Sequence, residues 1–442
     1  MPKPNRNVIS WGGTTAQALE LQSEDLASIT KTAALTRGFG RSYGDSSLPA
    51  AGDSPVASCL LADRILGFDE TTGTLSAESG LSIGEIQRLY LTRGWTFPVL
   101  PGTQFVTLGG AVASDVHGKN HHVSGSIGQH VTKLKIHLAD GRIVDCSRQD
   151  NATLFRATLG GMGLTGHILE VSVRLQRAPS PWIWSESERI AGLDDFIDAL
   201  RAAADDWPFT VGWLDAISQG RSLGRGILIK GRWAERDEAP QGAPKPLRRL
   251  TVPIQLPGWT LNRLSVRLFN ELYFRKHPGK PKRSIVHPET FFHPLDAILH
   301  WNRIYGRRGF TQHQCVLPEK DRPGATQRYL EALTRRGLAS FLCVIKDCGA
   351  EGEGMLSFPR PGISIAVDLP MRGDIQQVVD ELNELVLAEG GRIYLTKDTV
   401  TRPEHFRAME PRLEAFLAER MRWDPQRRIR SAQSVRLLGD TL

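Results

Sequence analysis

Apolar residues recur along this chain at two periods. In VTKLKIHLADGRIVD, Leu134, Ile136 and Leu138 alternate with Lys133, Lys135 and His137. That alternation predicts a half-buried strand, with Asp140-Gly141 turning into its partner. Ser82 and Glu85 have the spacing of a capping box, opening a helix that ends near Gly94. Residues 55–180 otherwise read as short strands, the last over 167–175. Pro179-Ser180-Pro181 marks a domain boundary. Beyond it the pattern predicts a helix over 193–206 and strands over 211–217 and 225–232. Strand-like runs follow over 311–317 and 339–346, with a helix between them. ISIAVDLP sets Ile363, Ile365, Val367 and Leu369 on one face of a strand. Helices over 374–388 and 404–421 flank the short strand RIYLT. Mixed elements without strict strand–helix alternation define an α+β chain.

Charge adds a second feature. Between Lys245 and Arg283 stand ten Lys or Arg and a single acid, Glu271, so this stretch exceeds the whole net charge of +7. Within it, Leu261, Leu264, Leu268 and Leu272 recur at helical spacing, with Arg263 and Arg267 on another face. The expected packing is against the protein body, with the arginines lying over its surface. The alternative is a basic amphipathic helix, Trp259 at its start, on an anionic membrane. No zinc finger, RNP strand or basic zipper accompanies the charge, so no nucleic-acid partner is expected.

The chain has 442 residues, enough for two or three domains at roughly 100–200 residues each. Its 40% hydrophobic and 23% charged residues exclude a disordered or fibrous chain. No apolar run approaches the ~18 residues of a spanning helix. The N-terminus, MPKPNRNVISWGG, lacks a secretory apolar stretch, so a cytoplasmic location is expected. The cysteines Cys59, Cys146, Cys315, Cys343 and Cys348 are odd in number and widely spaced, which predicts buried thiols rather than disulfides or a metal site.

Four motifs carry candidate chemistry. Gly38-Phe39-Gly40-Arg41-Ser42-Tyr43-Gly44-Asp45 can turn tightly and present successive N–H groups to a pyrophosphate. Pro101-Gly102-Thr103 precedes a run of small residues, Gly109 to Ser114, that admits a flat cofactor close to the backbone. His117, His121 and His122 follow, but no carboxylate at ligand spacing completes a metal site, and Gly118 interrupts the helix they would share. Gly161-Met162-Gly163-Leu164-Thr165-Gly166 matches a dinucleotide fingerprint in the wrong context, helix before and strand after, and reads as a structural turn near a cofactor. Tyr394 and Lys397 end a short strand and can point into a site. No nucleophile elbow, zincin or kinase motif is present.

GFGRSYGD, PGTQFVTLGGAVASDVHGKNHHVSGSIGQHV, LSFPRPGISIAVDLP and GGRIYLTKD, in this order, resemble the vanillyl-alcohol-oxidase type of FAD flavoprotein, and within it the decaprenylphosphoryl-ribose oxidase family. The resemblance is dense over 35–175 and 355–400 and looser between. It implies an FAD-binding domain over 1–178, an inserted antiparallel-sheet substrate domain over 179–391, and a segment over 392–442 returning to the first. It further implies that the loop from Gly38 through Asp45 to Leu48 holds the FAD pyrophosphate. Gly102, Thr107, Leu108, Gly109, Gly110, Ser114, Asp115, Val116, His117, Ile168 and Tyr394 would line the cofactor. Lys397 matches a lysine required for activity, with His117 as the rival base. Lys119, Gln314, Lys346, Ala366 and Lys397 would surround the substrate.

Two departures accompany the resemblance. Relatives that bond flavin covalently carry His where this loop has Arg41, so noncovalent FAD is expected. Mycobacterial members carry a Cys, the target of covalent inhibitors, where Ala366 stands. The implied activity is oxidation of a secondary sugar alcohol to a ketone, at the 2-hydroxyl of polyprenylphosphoryl-ribose, with a short-chain reductase partner completing epimerisation to the arabinose form. A soluble sugar-alcohol or aldonolactone oxidase is the alternative, and a basic binding protein on a degenerate flavin fold the non-enzymatic one. The lipid phosphate and the basic stretch together imply peripheral contact through 245–283 at the inner face of the membrane.

Overall fold

The computed structural model describes residues 6–50, 54–338 and 340–441. Residues 1–5, part of the N-terminus read above, and Ala339, first in the run expected over 339–346, lie outside them.

Helices and sheets are mixed throughout. Near the N-terminus, strands Arg6–Ile9, Thr15–Gln22, Pro55–Ser58 and Leu35–Arg37 lie side by side in that order. Strands Ile65–Asp69, Thr74–Glu78, His167–Arg174, Val131–His137 and Ile143–Ser147 form an antiparallel sheet. Val131–His137 pairs with Ile143–Ser147 across the Asp140-Gly141 turn, and Leu134 and Ile136 enter the core. His137, expected to face solvent, is buried, with its Nδ1 2.7 Å from the Thr30 hydroxyl. The short helix Leu26–Thr30 covers that face of the sheet.

Ser82 caps the helix Ile83–Tyr90 by accepting from the Glu85 N–H at 3.0 Å. The reciprocal half of the box gives way to an ion pair of Glu85 with Arg88. A 3₁₀ turn and left-handed Gly94 end the helix. The stretch 55–180 holds more helix than its pattern suggested: Leu108–Ala113, His121–Ser124 and Ala152–Thr158 are too short to register as a period.

The largest sheet has eight antiparallel strands, ordered Lys282–Val286, Ile183–Ile190, Gly226–Trp233, Phe209–Leu214, Cys343–Cys348, Gly362–Pro370, Phe310–Leu317 and Arg392–Ile393. Helices Leu193–Ala204, Ala325–Arg335 and Ile375–Ala388 press apolar faces onto one side of it. Ile363, Ile365, Val367 and Leu369 point into that layer. Their neighbours Ser364, Ala366 and Asp368 therefore point to the opposite side, together with Gln312 and Gln314, which pair with Asp368 and Ala366.

Two expectations change at the C-terminal end. The strand at RIYLT is only Arg392–Ile393, because Lys397 N–H turns back to the Tyr394 carbonyl at 3.0 Å. The helix expected over 404–421 is two helices, Pro403–Met409 and Leu413–Trp423. Pro411 forces Glu410 out of helical geometry.

Candidate active site

A cavity of about 1040 Å³ lies on the side of the large sheet opposite its three packed helices. That exceeds what one drug-sized ligand fills. One end is walled by Gly38–Tyr43, by Gly102, Thr107, Gly109 and Gly110, by Ser114, Val116 and His117, and by Ile168. Gln314, Lys346, Ala366, Tyr394, Lys119 and Lys397 line it as well. The sequence-expected residues thus converge from stretches hundreds of positions apart.

Four expected residues sit behind the wall. Gly44 packs so closely under the chain that a Cβ would lie 1.6 Å from the Asp398 carbonyl oxygen. Asp45 accepts two bonds from Arg436, at 2.8 and 2.9 Å, and the same guanidinium donates to Asp398 at 2.8 Å. Leu108 is core. Asp115, at a left-handed φ of 39°, accepts from Ser126 Oγ at 2.7 Å, Gly128 N–H at 2.8 Å and the Ser357 hydroxyl. These four shape the loops whose neighbours reach the cavity.

The lining also carries unpaired polar atoms, one of them on Ser79, which no motif announced. Arg41 Nε, Ser46 Oγ, Ser79 Oγ and Thr396 Oγ1 are buried without a hydrogen-bond partner among the described residues, and all four residues line the cavity. Among the described residues, none accepts from the N–H groups of Phe39, Gly40, Arg41 or Ser42. Gly40 supplies a left-handed φ of 65° within that run. Donors left open on a concave backbone suit a polyanion such as a pyrophosphate. The residues present therefore fit FAD, with Gly102 and Gly163 leaving open space beside the backbone.

His117 sits at the centre of a polar cluster. The Lys346 amine donates to its Nδ1 and to the Gly118 carbonyl at 3.2 Å. The Gln314 amide lies 3.2 Å from Nε2. A neutral imidazole carries one proton. Lys346 engages Nδ1, and the contact at Nε2 is made by the Gln314 amide nitrogen, which also lies 3.4 Å from the Ser364 hydroxyl. Burial, then the charges of Lys346, His121 and Lys397, hold the His117 pKa well below its ordinary value. The neighbouring histidines have separate partners: His121 Nδ1 accepts from Gly349 N–H at 3.1 Å, and His122 Nε2 lies 2.8 Å from the Trp207 carbonyl. Among the described residues no cluster of His, Cys, Asp or Glu could hold a metal ion.

Lys397 lies with Nζ 3.6 Å from the centroid of the Tyr43 ring. Burial lowers its pKa to about 8, against the opposing pull of Asp368. Asp368 is buried, accepting from Tyr305 Oη at 2.7 Å and Gln312 Nε2 at 2.6 Å. Burial raises its pKa. Tyr394 Oη donates to the Ser114 carbonyl at 2.9 Å, tying the Lys397 turn to the loop before His117. Lys119 donates to the Phe292 carbonyl at 3.0 Å, and burial lowers its pKa to about 8.

Beyond this polar end the cavity continues under the helix Arg263–Lys276, between Val266, Phe269, Tyr273, Ile304 and Phe341. The helix is amphipathic, as expected, but turned the other way. Leu264, Leu268 and Leu272 face solvent, and an aromatic face lines the cavity together with Leu261 before the helix.

Comparison with known proteins agrees with this geometry. A family described as FAD binding domain matches residues 23–147. Decaprenylphosphoryl-beta-D-ribose oxidase of Mycolicibacterium smegmatis is 32% identical, over 96% of this chain and 95% of that protein. An uncharacterized protein of Streptomyces coelicolor is 31% identical over 78% of this chain and 96% of its own length. A putative D-arabinono-1,4-lactone oxidase of Neurospora crassa is 29% identical over 40% of this chain and 33% of that protein. Site and matches together define an FAD-dependent oxidoreductase acting on CH–OH groups. Within that class, the chain belongs to the family of decaprenylphosphoryl-β-D-ribose oxidase.

Proposed function

We propose that this enzyme oxidises the 2-hydroxyl of a polyprenylphosphoryl-ribose to a ketone, the first half of epimerisation to the arabinose form. The carrying observation is the placement of Lys397, a buried amine over Tyr43, on the wall it shares with His117, Lys346 and Gln314. The name of the Mycolicibacterium relative supports the sugar and its lipid carrier.

Bound FAD would supply the acceptor for the hydride of the carbinol carbon. The N–H groups of Phe39 to Ser42 would hold its pyrophosphate, and Gly109, Gly110, Ser114 and Val116 would line it, with no covalent bond because Arg41 offers no ring nitrogen. Lys397 takes the hydroxyl proton, since an amine with a pKa near 8 is in part neutral at working pH. His117 is the poorer base: Lys346 engages its Nδ1, the Gln314 amide nitrogen faces its Nε2, and burial with the nearby cations holds its pKa well below the ordinary value. Its role is to orient the substrate together with Lys346, Gln314 and Lys119.

The chain reads as a cofactor domain over 1–178 and 392–442, with a substrate domain over 179–391. A cluster joining Ala157 and Leu164 to Leu395, Phe406, Phe416 and Leu437 supports that return of the C-terminal segment. Among the described residues no helix is long and apolar enough to cross a membrane. Contact with the bilayer that holds the lipid, at its inner face, is assigned to 245–283. A short-chain reductase would consume the ketone.

Anaerobic mixing with polyprenylphosphoryl-ribose tests the reading. Bleaching of the flavin band by the ribose lipid is expected. Bleaching by aldonolactones alone would replace this function with that of a soluble lactone oxidase.

A further inference from the structure

The helix Arg263–Lys276 is apolar on two opposite sides. Outward, Leu264, Leu268 and Leu272 are 77%, 60% and 62% exposed, and Trp259 just before the helix is 76% exposed. Inward, Val266, Phe269 and Tyr273 form a wall of the cavity. Phe269 stacks on Tyr273 with centroids 5.9 Å apart and meets Phe341 edge-on at 5.8 Å. An exposed leucine row at one-turn spacing is a contact surface rather than ordinary protein exterior.

The charges around this row say what it contacts. Arg275 is paired with Glu271, and Arg283 with Glu186. Arg263, Arg267, Lys276, Lys280 and Lys282 have no carboxylate at ion-pair distance among the described residues. Apolar side chains flanked by uncommitted cations complement an anionic bilayer. The helix is also unevenly tied down. In its C-terminal half, Asn270 Nδ2 donates to Asp215 at 2.7 Å and Glu271 accepts from Arg225 at 2.7 Å. At its N-terminal end the polar tie to the body is Arg372 Nη1 to the Leu261 carbonyl, at 2.9 Å.

We propose that this helix is the door between bilayer and cavity. Its leucines seat in the headgroup–acyl boundary. Its N-terminal half swings about the pinned C-terminal half. The isoprenoid tail of the substrate then passes beneath it, to lie along Val266, Phe269 and Phe341 while the sugar reaches Lys397. The inference rests on the lipid-linked substrate proposed above.

Two variants of the FAD-loaded enzyme test it. Leu264→Ser/Leu268→Ser/Leu272→Ser alters the outer face alone. It should stop sedimenting with vesicles containing phosphatidylglycerol and lose at least tenfold in kcat/KM for long-chain polyprenylphosphoryl-ribose held in them. Oxidation of a water-soluble two-isoprene analogue should be unchanged. Phe269→Asp alters the inner wall. For the wild type in detergent, without a bilayer, KM should fall as the chain lengthens, and this variant should lose that dependence. Vesicle activity unaffected by the leucine changes overturns the bilayer door. Chain-length dependence that survives Phe269→Asp overturns the passage. A wild-type flavin that no polyprenylphosphoryl-ribose bleaches, in vesicles or detergent, overturns the substrate reading and this proposal with it.

Discussion

Lys397 rests its ammonium on the face of the Tyr43 ring, 3.6 Å from the centroid. Tyr43 is fixed in turn, donating its N–H to the Thr396 carbonyl at 2.9 Å and setting its ring edge-on to Phe310. The lysine therefore approaches the cavity in one direction. A proton acceptor there makes flavin reduction pH-dependent. With the Lys397 pKa near 8, the rate of bleaching should rise through pH 8 as the neutral amine forms. Lys397→Met should slow reduction by roughly 10²–10⁴-fold while the bound-flavin spectrum persists. Lys397→Arg keeps the cation and discards the base. Stopped-flow rates for Lys397→Arg close to wild type would assign the residue an electrostatic role only.

Asp368 tunes that amine from the neighbouring strand. Its carboxylate opposes the effect of burial by favouring the charged lysine. Removing the charge in Asp368→Asn should lower the Lys397 pKa further and move the rising limb of the pH–rate profile to lower pH. An unmoved limb in a variant that keeps its flavin would separate the two residues.

Arg436 bridges Asp45 and Asp398, so the last helix clamps the Gly-rich loop to the Lys397 turn. Arg436→Gln leaves two buried carboxylates without their cation. A loss of about 3–5 kcal/mol is expected, read as a lower midpoint in urea and faster release of flavin on dilution.

Arg41 packs its guanidinium 4.1 Å from the centroid of the Trp11 ring. An arginine does not form the bond that a histidine forms in covalent relatives. Acid precipitation should send all yellow colour to the supernatant. Colour left in the pellet would require another attachment residue.

Ala366 faces the cavity without a thiol, and all five cysteines are buried. Cys59 also lines the cavity, but burial pushes its pKa up to about 11. Turnover in the presence of a nitroaromatic inhibitor should leave the intact mass unchanged. Ala366→Cys should gain a single adduct. An adduct on the wild type would show a reactive thiol elsewhere.

Much of this architecture was legible in local patterns. Ser82, Gly94 and Asp140-Gly141 set backbone geometry by their own chemistry, and the structure places them as read. The Gly38–Tyr43 loop and the Tyr394–Lys397 pair carried recognisable motifs, and both reach the cavity. Ser79 did not, because a lone hydroxyl acquires its role from what folds around it. The helix Arg263–Lys276 shows a sharper limit. Its period located the faces, but nothing local says which face meets the protein. Leu264, Leu268 and Leu272 looked like core and are exposed, while Leu261, Val266, Phe269 and Tyr273 line the cavity. His137 erred in the opposite sense, buried by a helix more than a hundred residues away in sequence.

The clamp made by Arg436 has a consequence for biosynthesis. Asp45 leaves the ribosome 391 residues before its cation, a delay of roughly 20–80 s at ordinary elongation rates. Throughout that interval the Gly38–Asp45 loop lacks the contact that clamps it. Flavin retention by the nascent chain is therefore expected only after release, and a chain truncated before its last helix should hold flavin weakly.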